Sequence, residues 1–99
     1  MTTFDIGGAM HYMRDGNRVA RKGWNGKNMY LFLVPGSKFV VEASRPMGQA
    51  CPELVGKEVE YQGHVDMMTA QGSVVPWLCS QSDLQAMDWE LIGEDVDAK

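Results

Sequence analysis

The chain has 99 residues, 44% of them hydrophobic, with eleven Gly, eight Met, three Trp and 13 acidic against 9 basic side chains. A chain this short closes one modest core and has no room for a two-domain enzyme, and at this size assembly or a bound ligand adds usefully to stability. The net charge of -4 is unevenly spread, because residues 1–50 carry seven basic and three acidic groups while residues 51–99 carry two and ten, so the first half is the one suited to anions.

Ile6, Ala9, Met10 and Met13 fall at i, i+3, i+4 and i+7 and predict a short amphipathic helix, with Thr3 or Asp5 to cap its start and Gly16 its end. Gly7 and Gly8 each cost about 1 kcal/mol relative to Ala inside a helix, so the element needs tertiary packing, and close approach by a neighbouring element would explain them. From Arg18 the period becomes that of a strand, first over Arg18 to Lys22 and then over Met29 to Val34, with an Asn25-Gly26 hairpin signal between them. Lys38 to Glu42 reads as a short third strand. Ser44 to Gly56, with two Pro and two Gly, reads as a mobile surface loop. A second hairpin is predicted from Gly63 to Thr69 and Ser73 to Leu78 around Ala70-Gln71-Gly72, Pro76 placing its second strand at an edge or bulge. Ser80-Gln81-Ser82-Asp83 reads as a cap for one or two turns of helix, before a last strand from Asp88 to Ile92 that carries a core tryptophan, Trp89. These elements make an α+β fold, a small antiparallel sheet with one helix laid across it, in a single domain over residues 1–92 followed by an acidic tail at 93–99.

No apolar run approaches the roughly 18 residues of a membrane span, and the first ten residues lack the basic and apolar regions of a secretory leader. A cytoplasmic protein with no membrane partner is expected. Cys51 and Cys79 belong to no metal-ligand or redox spacing, so two free, mostly buried thiols and no metal are expected. The glycines spell no phosphate-binding loop. His64 and Asp66, two residues apart on one strand face, are an acid/base pair or an ordinary hydrogen-bonded one, and His11 reads as a solvated surface imidazole.

Two stretches look built for binding. Arg18, Arg21, Lys22 and Lys27 surround Trp24 and Asn25, with Tyr30 just beyond, which puts cations, an aromatic face and an amide together, as a nucleotide requires. Stacking a base on a Trp face contributes about 1 to 3 kcal/mol. A core Trp24 with a solvated basic strand face accounts for the same residues, and the sequence leaves both open. The second stretch runs from Trp77 to Ser80, Gln81, Ser82 and Asp83, a stacking plate followed by small polar groups, for which helix capping by Ser82 and Asp83 is the plainer account.

These residues resemble a known family. Arg21-Lys22-Gly23-Trp24-Asn25-Gly26-Lys27, Leu33-Val34-Pro35-Gly36, His64-Val65-Asp66-Met67, Val75-Pro76-Trp77-Leu78, Ser80-Gln81-Ser82-Asp83 and Asp88-Trp89-Glu90 are similar to the small phage and prophage proteins of the second Thoeris anti-defence type, over Phe4 to Ile92. The resemblance implies a non-catalytic sponge without a cofactor, an α+β protomer assembling into a homotetramer in the cytoplasm of the bacterial host. Its ligands would be cyclic nucleotide immune signals, chiefly cyclic ADP-ribose isomers made by TIR-domain enzymes, and in some relatives cyclic dinucleotides of the CBASS type. On that basis Trp24 or Trp77 is expected to stack on adenine, Arg21 and Lys27 to face phosphate, and Asn25, Ser80 and Asp83 to bond ribose or base edges, with Tyr30, Gln81 and Ser82 completing the ligand-binding set. Two alternatives are a nucleic-acid-binding accessory module, against which stand a pI near 5.0 and the acidic second half, and a small hydrolase or lyase using His64 and Asp66.

Overall fold

The side chain of Asp5 accepts the backbone N–H of Gly8 at 2.9 Å and so caps the first helix, α1, Ile6–Arg14. A Cβ on Gly8 would come within 2.8 Å of the Phe4 Cβ. The glycine therefore lets Phe4 fold back beside the helix, where its backbone bridges Trp89. Gly16, in the left-handed region at φ 93°, turns the chain out of the helix.

The computed structural model describes residues 2–93, so the expected acidic tail lies almost wholly outside the described residues. Two compact units make up the chain. The first, residues 2–34 with 65–93, holds α1, β1 (Arg18–Arg21), β2 (Tyr30–Val34), β5 (His64–Met68, from Val65 on), β6 (Val74–Pro76), α3 (Gln81–Gln85) and β7 (Trp89–Ile92). Its five-stranded sheet runs β6-β5-β2-β1-β7. The pairs β1–β2, β1–β7 and β5–β6 are antiparallel, with Val19 opposite Leu31 and Leu91 and Arg21 opposite Trp89. Pro76, which has no N–H to donate to a ladder, sits on edge strand β6 as expected. Alternation along the strands turns Val19, Leu31 and Trp89 to one face, where they join Ala9 and Met13 of α1 and Ala86 in the core. The α+β architecture read from the sequence is the one observed.

The first connection departs from expectation. β1 and β2 do pair, but the link between them spans residues 22–29, and its left-handed residue is Asn28 (φ 63°) rather than the Asn25-Gly26 pair. Gly26 serves packing instead: a Cβ there would collide with the Met29 sulfur and stand 3.1 Å from the Ala70 Cβ.

The second unit, residues 35–64, corrects the reading of Ser44 to Gly56 as a loop. β3 (Ser37–Val40) pairs antiparallel with β4 (Glu58–Tyr61), a strand absent from the sequence-based prediction, to form a separate two-stranded sheet. Between them lie α2 (Pro46–Ala50) and a 3-10 turn at Pro52–Leu54. Both prolines open helical turns, where a missing N–H costs nothing. Gly48 is buried, and a Cβ on it would strike the Glu42 carbonyl oxygen, so helix and strand exit touch backbone to backbone. Gly48→Ala is therefore expected to destabilise this unit by about 1 to 3 kcal/mol, read as a lower urea midpoint.

Candidate functional site

Three tryptophans meet on the core face of the first unit. Trp89 is fully buried, and the rings of Trp24 and Trp77 both stand edge-on to it, at 5.4 Å and 81° and at 6.0 Å and 88°. Trp24 and Trp77 are themselves only half-buried, so each combines a core edge with an outer surface.

Asp83 ties this cluster together because of where α3 begins. Ser80 caps α3, its hydroxyl accepting the Asp83 N–H at 3.0 Å. The Asp83 carboxylate then accepts from Arg21 Nη1 at 2.9 Å and from the Trp24 indole N–H at 3.2 Å, while its backbone carbonyl accepts the Trp89 indole N–H at 3.1 Å. Asp88 grips the same arginine from the other side: Oδ1 accepts from Arg21 Nε at 2.8 Å, Oδ2 from the Gly23 N–H at 2.9 Å, and its carbonyl from the Lys22 N–H at 3.1 Å. Burial raises the Asp83 carboxyl, but hydrogen bonds from Arg21 and Trp24 outweigh it and hold the group below the usual carboxylate range. The Asp88 carboxyl lies low as well, chiefly through its bond from Arg21, and the two carboxylates in turn raise the guanidinium.

The structure thus brings Arg21, Trp24, Trp77, Ser80 and Asp83 into one region. Asn25 and Lys27 lie exposed on the 22–29 connection, and Gln81 and Ser82 exposed in the first turn of α3. Tyr30 is placed elsewhere. It flanks the buried Leu31 on β2, so its side chain leaves the opposite face of the sheet, where the Arg18 guanidinium lies 4.8 Å from its ring centroid. Asp88, read from the sequence only as part of a strand and a family motif, was not among the expected site residues; its signal was a position just before a strand whose register sets it beside Lys22. The thiols are free among the described residues, but Cys79 is exposed and Cys51 half-buried, against the expectation of mostly buried groups. Cys79 falls in the irregular segment between β6 and α3, beside an almost fully exposed Leu78. His64 and Asp66 both belong to β5, with His64 Nδ1 3.4 Å from the Gln62 carbonyl.

The second unit contains a cavity of about 400 Å³ lined by Phe39, Val40, Glu42, Arg45, Met47 and Tyr61 among others, and none of the ligand-binding residues expected from sequence lies in it. Among the described residues no cluster of His, Cys, Asp and Glu could hold a metal ion, and no helix is long and apolar enough to cross a membrane.

Residues 4–92 match the family model of the Thoeris anti-defense 2-like domain. The chain is also 31% identical over 91 residues to the Thoeris anti-defense 2 protein of Bacillus phage SP01, a match that covers 92% of this chain and 97% of the phage protein. The chain belongs to this anti-defence family. Membership supports a phage anti-defence role, and the tryptophan cluster with its Arg21–Asp83–Asp88 network lies within the matched residues.

Proposed function

We propose that the protein is a sponge that binds a cyclic nucleotide immune signal of the glycocyclic ADP-ribose type and keeps it from the host effector without cleaving it. The observation that carries this reading is the pairing of two half-buried tryptophans, Trp24 and Trp77, braced on a buried third, beside an exposed basic connection. A rigid aromatic surface takes the base with little loss of side-chain freedom, and neighbouring cations offset the pyrophosphate. Asn25, Ser80, Gln81 and Ser82 supply partners for ribose hydroxyls and base edges, and Tyr30, on the other sheet face, would have to act in a separate contact. In this reading the protomers assemble as homotetramers in the cytoplasm of the infected cell.

The test is to incubate the purified protein with a mixture of cyclic ADP-ribose isomers and cyclic dinucleotides, remove unbound ligand, denature, and identify the released species by mass spectrometry. Intact cyclic ADP-ribose isomer is expected. Release of a cleaved product would make the protein an enzyme, and release of nothing would remove this ligand class. Trp24→Ala and Trp77→Ala are each expected to weaken binding by about tenfold or more, given stacking energies of about 1 to 3 kcal/mol. Unchanged calorimetric affinity in both variants would end the stacking proposal.

A further inference from the structure

Arg21 is already matched in charge before any ligand arrives. One guanidinium faces two carboxylates, Asp83 and Asp88, at 2.9 and 2.8 Å, with its side chain only 20% exposed. The local balance is therefore negative, and an anion brought to Arg21 meets repulsion from both acids. Lys22 and Lys27, by contrast, are exposed and take part in no ion pair among the described residues.

The same acids fix the chain around Trp24. Asp88 holds residues 21 to 23 by one side chain and two backbone N–H groups, and Asp83 takes the indole N–H of Trp24. The bond from its N–H to Asp83 and its contact with Trp89 together restrain the orientation of the Trp24 ring. The Trp89 ring is fixed in turn by the Asp83 carbonyl, so one residue sets two of the three indoles.

We infer that Asp83, backed by Asp88, is a positioning residue that uses Arg21 as a clamp to hold the Trp24 ring for stacking, and that Lys22 and Lys27 rather than Arg21 meet the anionic group of the ligand. The inference rests on the reading that the ligand stacks on Trp24, and it changes the part played by two residues. Arg21 becomes a counter-ion inside the scaffold, and Asp83 acts through an indole instead of bonding the ribose.

The test uses the full chain, with cyclic ADP-ribose as probe. In the ligand-free protein, Asp83→Ala is expected to shift the Trp24 indole N–H resonance and speed its exchange with water, and on titration to weaken affinity about tenfold, as losing a part-buried hydrogen bond and its ring placement would. Asp83→Asn, which keeps an acceptor for the indole, is expected to hold both near wild type. Arg21→Gln is expected to weaken binding without altering its salt dependence, whereas Lys27→Ala flattens that dependence because a phosphate contact is lost.

An Asp83→Asn variant as weak as Asp83→Ala with an unmoved Trp24 resonance would mean that the carboxylate touches the ligand, and a flattened salt dependence in Arg21→Gln would mean that the guanidinium does; either overturns the inference. If Asp83→Ala does not fold, Asp88→Asn replaces it, with a smaller shift expected in the same direction and no shift counting against the clamp. Should wild-type protein bind no cyclic ADP-ribose, the proposed ligand falls, while the ligand-free indole comparison still decides whether Asp83 holds Trp24.

Discussion

Replacing Trp89 by Ala is expected to cost about 3 to 5 kcal/mol of folding stability, the range for emptying a large aromatic site in a core. The ring is fully buried, both other tryptophans rest on it, and its N–H has the Asp83 carbonyl as partner. Truncation removes apolar burial, leaves a cavity beneath two half-buried indoles and strands a carbonyl. Domains of this size hold only about 5 to 15 kcal/mol in total, so the variant should unfold at a far lower denaturant midpoint. Trp89→Phe, which keeps a ring and loses the N–H, should fall between the two. A midpoint within experimental error of wild type for Trp89→Ala would mean that the tryptophan cluster contributes little to the core.

Arg21→Ala is expected to destabilise the protein at neutral pH by about 1 to 3 kcal/mol, more than an exposed ion pair and less than a fully buried one, because it leaves Asp83 in a part-buried site without its cation. The effect has a defined pH window. Asp83 and Asp88 titrate below their unfolded values, so the unfolded chain takes up protons first as the medium is acidified. Their contribution is thus fully present above the ordinary carboxylate range, near pH 4, and is lost as the pH falls through the lower folded values. Urea unfolding of wild type and Arg21→Ala should show a gap that is constant from pH 7 to about pH 5 and closes below pH 4. A gap that persists unchanged into strong acid would assign the loss to the packing of the arginine stem.

The elements that were legible in the sequence are those whose local chemistry and tertiary role agree. The run from Ser80 to Asp83 had the residue types of a helix start, though the cap falls on Ser80 and not on Ser82 or Asp83, and Ala70-Gln71-Gly72 had a glycine where the chain requires φ 91°. The helical period of Ile6, Ala9, Met10 and Met13 survived two glycines because their cost is repaid where Phe4 and the Asp5 cap approach the backbone. The 44–56 segment misled because prolines and glycines were counted as breakers without regard to position: Pro46 and Pro52 stand at the start of helical turns, and Gly48 is required by a backbone contact that no local pattern announces. At the site, Trp24 and Trp77 could be read from residue type. The partners of Arg21 could not, since Asp83 and Asp88 lie 62 and 67 positions away, Asp83 delivered by the start of α3 and Asp88 by the register of β7 on β1.

Unit two leaves the five-stranded sheet after β2 and hands the chain back at β5, and those two strands are neighbours in that sheet. An excursion that departs and returns at adjacent strands can grow, shrink or be exchanged at small entropic cost, since doubling a connection adds only about 0.6 kcal/mol. Residues 35–64 carry their own strand pair, helical turn and cavity, so the unit that holds the tryptophans is free to stay fixed while this module drifts. Such a layout lets selection rewrite about a third of a very small protein without unmaking the rest.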